Sequence, residues 1–448
     1  MAQEKGFYWA QHAGAEKACL DILDDCRQKN TVLARFEQKL IRQTSSRMLD
    51  WVDHLIVRDS KQLRDKLAAL GFVGQPDTRL EALIHPVALL PRIVLAGTGT
   101  GAAIRVESIA DFLQANGFRA GIEGGLLSPY RRASISTENG SSLLVVERRG
   151  TRDYEPVYTK DAYLRAYLQG MEAWQNRPRS GDNEDQTFEE LFRIADRLIF
   201  QLGPDLAAQI VCRAERIYWL SRNVAARVQQ GRQDTLGLGW GNHDHHTFRS
   251  SRRNFSKLVA LFTRLGFRNR ERFYAGAEAG WGAQVMENPV SGLTLFLDVD
   301  LAPEEVATDF SREELKERDQ LGTVGLWCAL HGDSILQAGM HHMAAQFDFE
   351  RLIADIGRYG VAYMAPFSNF SYLKQAFSVA EKWEVAPERV QKLISDKTIT
   401  NEQGEQFLSQ GAVGSHLENI QRREGYKGFN RKNVSAIIRA TDPRRNVT

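Results

Sequence analysis

The chain has 448 residues, 43% of them hydrophobic and 25% charged, with a formal net charge of +2. That length suits two or three packed units, and the mixture is that of a folded chain rather than a disordered one. The near-neutral balance by itself says little about partners. Cys19, Cys26, Cys212 and Cys328 are scattered with no zinc-type pairing, which predicts free thiols in a reducing compartment. The first residues lack the basic and apolar regions of a secretory signal, and no run of 18 uncharged apolar residues is present. A soluble, cytoplasmic protein with no membrane partner is expected.

Residues 14–49 read as helices with polar faces. WVDHLIV, from residue 51, is short, β-branched and aromatic, and predicts a strand. KQLRDKLAALGF then carries helical spacing up to a stop at Gly71, and PRIVLA at 91–96 is again strand-like. GAAIRV and SIADFLQANGF repeat the strand-then-helix order. RRASIST and SSLLVVERR follow as strands separated by the turn-like ENGS. Residues 160–232 change character, with long segments of helical periodicity broken only by PRSGDNEDQ.

Strands return at HHTF, and RNFSKLVALFTRLGF is the next helix. RFYAGAEAG, GAQVMEN and GLTLFLDVDL read as strands, and EEVATDFSREELKERDQ as a solvated helix and connector. A further unit starts near 340 with MHHMAAQFDF and ERLIADIGRYG. Residues 380–448 read as mainly helical and polar, with a basic tail. The expected division is an N-terminal helical segment 1–50, a first module pair 51–159, a helical insertion 160–235, a second module pair 236–378, and a helical and basic segment 379–448.

The informative pattern is a repeat. DHLIVRDSKQLRDKLAALGF, Asp53–Phe72, and DHHTFRSSRRNFSKLVALFTRLGF, Asp244–Phe267, both open Asp-His-x-x-x-Arg and both run through a helix to Leu-Gly-Phe. Such self-similarity indicates duplicated modules. Within each strand the His and the Arg share a face, about 13 Å apart by strand rise. Two symmetry-related strands would set His54 and His245 on opposite walls of one cavity. Two imidazoles and one carboxylate make a facial metal triad with open positions. Asp298, in FLDVD, is the leading carboxylate, with Asp300, Glu147 and Glu287 as rivals. His243 and His246 flank His245 as polar or pocket residues, and a one-residue slip of register would exchange His246 for His245.

These features resemble the vicinal-oxygen-chelate superfamily, and within it most closely the 2-oxoadipate dioxygenase/decarboxylase family. That family's first metal strand reads like His-Gly-Ala-Ile-Arg, matched here by His54 to Arg58. Its second motif, Asn-His-Leu-Thr-Pro-Arg, is similar to DHHTFR at 244–249, with Phe248 at the Pro position. Its acidic strand, Phe-Gly-Glu-Ile-Glu, is similar to FLDVD. The resemblance implies an α+β fold of duplicated strand-helix-strand modules around a mixed sheet, with a helical insertion and helical termini. It also implies an Fe(II) dioxygenase/decarboxylase with His54, His245 and Asp298 as metal ligands. Arg58 and Arg249 would hold a small carboxylated substrate such as a 2-oxo acid, with His246 beside them and dioxygen as co-substrate.

Other readings compete. His341 and His342 form a second histidine pair, of which only one can face a given side of a strand. His331, Asp333 and Cys328 lie close in sequence but without a nucleophile elbow. The basic, aromatic-bearing C-terminal segment reads as a solvent-facing tail rather than a nucleic-acid contact, and no phosphate-loop motif supports a nucleotide cofactor. The alternatives to an oxygenase are a metal-free binding or scaffolding protein and a zinc-dependent lyase or isomerase on the same modules. The sequence leaves the oligomeric state open.

Overall fold

The computed structural model describes residues 9–179, 183–276, 280–430 and 442–445. Two mixed sheets organise the α+β fold. The first contains β1 (Val52–Arg58), β2 (Val73–Gly74), β3 (Ala82–Ile84), β4 (Arg92–Ala96), β5 (Thr100–Arg105), β6 (Tyr130–Glu138) and β7 (Ser141–Arg148). Its strand order is β2-β3-β4-β1-β5-β7-β6. The second is built from β8 (His243–Arg249), β9 (Arg268–Tyr274), β10 (Trp281–Asn288), β11 (Leu293–Asp300), β12 (His342–Gln346), β13 (Ser368–Phe370) and β14 (Leu373–Phe377). A short ribbon of β15 (Lys382–Trp383) and β16 (Ala412–Val413) precedes its last strand, β17 (His416–Arg422). The order here is β13-β14-β17-β12-β8-β11-β10-β9.

The two orders are one plan used twice. In each sheet the central strand, β1 or β8, pairs parallel with one neighbour (β4, β11) and antiparallel with the other (β5, β12). That second neighbour pairs parallel with the next strand, β7 or β17. Helices follow the corresponding strands: α3 (Lys61–Ala69) after β1, α4 (Ile109–Asn116) after β5, α9 (Phe255–Arg264) after β8 and α11 (Phe349–Ile356) after β12. The recurring Gly-Phe has a local cause. Gly71, Gly117 and Gly266 all take positive φ, and the amide of the following Phe72, Phe118 or Phe267 donates to the carbonyl five residues back. This closes the exposed helix end in a left-handed cap. The ENGS turn is a two-residue hairpin, with Asn139 and Gly140 both at positive φ.

Helices α1 (Ala13–Lys29) and α2 (Thr31–Thr44) bury Cys19, Leu23, Leu33, Phe36 and Leu40 against Leu55, Val57 and Ile93 of the first sheet. The helical insertion is α5 (Asp161–Gln175), α6 (Glu184–Leu202), α7 (Pro204–Ser221) and α8 (Val224–Asp234). Its Tyr167, Trp174, Leu198 and Val211 share one core with Phe248, Phe262 and Leu297 of the second half. No helix among the described residues is long and apolar enough to cross a membrane.

Two segments depart from expectation. EEVATDFSREELKERDQ forms only the short turn Pro303–Glu305 rather than a helix; its Phe310 and Leu315 are buried in the core but stand five apart, off the three-to-four-residue spacing of a helical face. Residues 379–448 do contain α12 (Pro387–Ser395) and α13 (Asn401–Gln410), but they also supply β17, a central strand of the second sheet. The expected boundary at 378 therefore falls inside that sheet. Most of the basic tail, residues 431–441 and 446–448, lies outside the described residues.

Candidate metal centre

β8 alternates as a strand must. His245, Thr247 and Arg249 face a cavity of about 70 Å³, while Phe248 packs into the core against Phe262. His246 shares the core-side parity of Phe248, and burial depresses its basicity. It does not line the cavity, so the catalytic position expected for it is corrected to a core one.

Beside His245 the structure assembles His342 of β12 and Glu418 of β17, all buried, with one donor atom of each within 4.8 Å of the others. The register explains the convergence. Ala344 of β12 is the cross-strand partner of both His245 and Glu418, and His342 lies two residues earlier on the same face. Glu418 Oε2 is 3.3 Å from His245 Nε2 and 3.2 Å from His342 Nε2. Gln375 of β14 donates to its other oxygen at 2.8 Å.

Polar groups behind the three donors fix their orientation. His245 Nδ1 is 2.8 Å from Asp244 Oδ1, and Asp244 in turn accepts two bonds from Arg422, at 2.7 and 3.0 Å. Burial opposes ionisation of Asp244, but Arg422 and His245 outweigh it and hold it well below the usual carboxylate range. An anionic Asp244 keeps a proton on Nδ1 and directs Nε2 at the cluster, where loss of its proton would free the lone pair for a cation. Burial likewise opposes the charges of Glu418 and His245. Their mutual attraction wins, holding Glu418 at about 2 and pushing His245 up to about 9. Two imidazoles around one ionised carboxylate hold a proton where a cation would otherwise sit, and His342 Nδ1 is buried without a partner among the described residues. The donor set, two imidazoles and one carboxylate, fits a divalent metal ion.

The cavity walls are Phe273, Trp281, Phe296, Phe367, Phe377 and Phe429, into which Arg249 and Asp298 project. Arg249 is buried, its Nε and Nη1 have no partner among the described residues, and its guanidinium carbon sits 5.5 Å from the Trp327 ring centroid. Asp298 is its cross-strand neighbour but forms no ion pair with it among the described residues. Burial pushes Asp298 up to about 7, against the pull of Arg249, and its Oδ1 is also unpartnered.

The other expected site residues lie elsewhere. His54 is in the first sheet, 2.8 Å from Asp53 and edge-on to Tyr154, and does not meet His245. The duplicated fold explains why. Ile56 pairs with Gly101 as Thr247 pairs with His342, and Gly101 pairs with Ser142 as His342 pairs with His416. Two residues further along β7 and β17 stand Leu144 and Glu418. The first half thus keeps the histidine and has Gly101 and Leu144 where the second has His342 and Glu418. A Cβ at Gly101 would stand 2.8 Å from the Ser142 carbonyl oxygen, so that position is closed to a ligand side chain.

Arg58, the counterpart of Arg249, is exposed at the end of β1. Asp298 faces the cavity but is not one of the three clustered donors. Asp300 accepts the amides of Gly322 and Val324 at the start of α10 (Thr323–His331). Glu147 accepts the amide of Ile109 and pairs with Arg131 and Arg149, and Glu287 pairs with Lys427. His331 bonds the Val413 carbonyl, and Asp333 accepts from Ser250, Ser251 and Asn254; Asp333 also lies beside Cys328, where burial and its charge push the thiol up rather than activate it.

His342 was within reach of the sequence as half of a histidine pair; Glu418 was hidden in a segment read as helical. The available signal was the Asp-Arg pair. Asp53 binds Arg148 through two bonds just as Asp244 binds Arg422. Aligning VVERR with NIQRR on those arginines would have marked 416–422 as the last strand of the repeat.

Neither a family model nor a curated protein sequence matches the chain. Solved structures similar to it include a variant of 4-hydroxymandelate synthase from Streptomyces coelicolor, 12% identical, covering 75% of this chain and 95% of that one, with a TM-score of 0.30. Methylmalonyl-CoA epimerase from Mycobacterium tuberculosis is 10% identical, with 41% and 88% coverage and a TM-score of 0.24. A variant of the Streptomyces coelicolor epimerase is 16% identical, with 40% and 96% coverage and a TM-score of 0.22.

Proposed function

We propose that the protein is a non-haem iron(II)-dependent dioxygenase acting, with decarboxylation, on a small 2-oxo acid or related carboxylated metabolite. The observation that carries this reading is the meeting, in one aromatic-walled cavity, of a two-histidine, one-carboxylate donor set and a buried arginine that forms no ion pair among the described residues. His245, His342 and Glu418 would hold the metal, replacing the expected set of His54, His245 and Asp298. Iron bound there supplies open positions for dioxygen and for a chelating oxo acid.

The remaining chemistry belongs to the chain. Arg249 offers a planar fork to a substrate carboxylate, which would complete a charge that is costly to bury alone. The aromatic walls exclude water and strengthen that pairing. Asp244 keeps His245 in one tautomer, and Gln375 keeps Glu418 in one orientation. Asp298, near neutrality at pH 7, holds or releases a proton beside the carboxylate bound by Arg249.

Anaerobic purification with elemental analysis, followed by oxygen uptake and carbon dioxide release over a panel of 2-oxo acids, tests the reading. Iron near one per chain, lost in His342→Ala and Glu418→Ala, with iron-dependent oxygen uptake, is expected. Turnover supported by zinc without oxygen uptake would place the same centre in a lyase or isomerase. A protein that takes up no metal after iron loading would overturn the reading.

A further inference from the structure

A second and larger cavity, about 340 Å³, opens between the two halves of the molecule. Corresponding strand positions of the internal repeat form its walls. Asp53 faces it from the first half and Asp244 from the second. Arg92 of β4 stands where the second half has Thr294, four residues before the Ala96 and Asp298 that pair with Arg58 and Arg249. Arg105 of β5 stands where the second half has Gln346, opposite the residue two before Arg148 and Arg422 respectively. The halves have thus diverged in complementary ways: the second carries the metal donors, and the first carries extra arginines on the shared cleft.

The acids of the cleft are already committed. Asp53 is bound twice by Arg148, at 2.7 Å each, and touches His54. Asp244 is bound by Arg422 and His245, Asp50 by Arg47, and Glu287 by Lys427. Glu16 accepts the Glu424 amide at 2.6 Å. Among the described residues, three guanidinium groups donate no hydrogen bond to an acid. Arg92 forms only a long ion pair, 3.6 Å, with the already paired Asp53, and Arg152 makes one long bond, 3.4 Å, to the Pro289 carbonyl. Arg105 has no side-chain hydrogen bond or ion pair among the described residues. His243 adds a buried Nε2 with no partner among the described residues. Burial, together with the neighbouring positive charges, lowers Arg92 and pushes Arg105 down to about 10. Like charges held together at low dielectric repel unless a counter-ion joins them.

We propose that this cleft binds a small, multiply charged anion, phosphate- or carboxylate-bearing, through Arg92, Arg105 and Arg152. Guanidinium forks suit both kinds of oxyanion, and three of them call for a ligand with at least two negative charges. The site is separate from the metal cavity and does not depend on the reading of that centre.

Isothermal titration of the full-length protein with inorganic pyrophosphate and with citrate, in chloride buffer, tests this. Saturable binding of either is expected, weakened at least tenfold by Arg105→Gln and by Arg152→Gln, the latter at a half-exposed position where folding is not at stake. Preference for pyrophosphate would identify a phosphate ligand, and preference for citrate a polycarboxylate. Both probes chelate metals, so the titration is repeated on His342→Ala, where the affinity should be unchanged. No saturable binding of either probe, binding indifferent to both arginine substitutions, or binding lost in His342→Ala would overturn the proposal.

Discussion

His245 and Glu418 stand on strands that do not touch, with β12 between them, yet Nε2 of one lies 3.3 Å from Oε2 of the other. Strands two places apart in a sheet are separated by about 10 Å, so the side chains must lean together over Ala344, which opposes both. A methyl group there leaves the room in which the donors meet. Ala344→Ile should fill that room, abolish metal binding and cost about 1–3 kcal/mol through overpacking. Elemental analysis and denaturant unfolding measure the two effects. A variant that keeps full metal occupancy would show that the donors do not meet over this residue.

The same Asp-Arg pair occurs in both halves but backs a candidate metal ligand in only one. Asp244→Asn removes the anion that fixes the His245 tautomer, and metal affinity should fall about 10–100-fold in a chelator competition. Asp53→Asn exposes the buried Arg148 charge in the half without a triad. It should destabilise the fold by roughly 3–5 kcal/mol while leaving metal affinity unchanged. Equal effects of the two variants on affinity would mean that the halves share one site.

Arg249 carries a buried charge whose guanidinium lacks an acid within ion-pair distance among the described residues, an arrangement that costs stability in the free protein. Arg249→Met should therefore raise the denaturant midpoint of the substrate-free protein. It should also weaken productive binding of a carboxylated substrate, raising KM at least 100-fold with metal occupancy unchanged. A stability–activity trade of this kind marks a residue kept for its ligand. A variant that is less stable and binds substrate normally would reassign Arg249 to a structural role.

Much of the fold was legible because its signals are local. Apolar periodicity and Gly-Phe stops each act within one helix, and the Asn-Gly turn acts within one hairpin. The duplication was visible in Asp-His-x-x-x-Arg, and it singled out His245 from its neighbours: His245 lines the cavity, and His243 and His246 do not. The same motif misled at His54. A repeat conserves the backbone plan and its supporting ion pair, while the ligands at Gly101 and Leu144 are free to differ. Glu418 escaped notice because HLENIQR is a fully buried strand whose polar residues are satisfied by partners distant in sequence, and no local pattern reports those partners.

The histidines also give the protein a pH signature away from the metal centre. His331 is buried between Trp327 and Trp383 and bonds the Val413 carbonyl at 3.0 Å. Burial, only partly offset by that bond, pushes it down to about 3. Its value in the unfolded chain is about 6.5, so the unfolded state takes up the proton first as pH falls. The contribution of neutral His331 is whole above pH ~6.5 and shrinks toward pH 3, a loss of about 2 kcal/mol by pH 5. His331→Gln can keep the bond to Val413 but has no proton to gain. Urea unfolding at pH 7.5 and pH 5.0 should show the wild-type protein losing about 2 kcal/mol more than the variant over that interval. Equal losses in the two proteins would show that His331 is already protonated, or solvated, in the folded state.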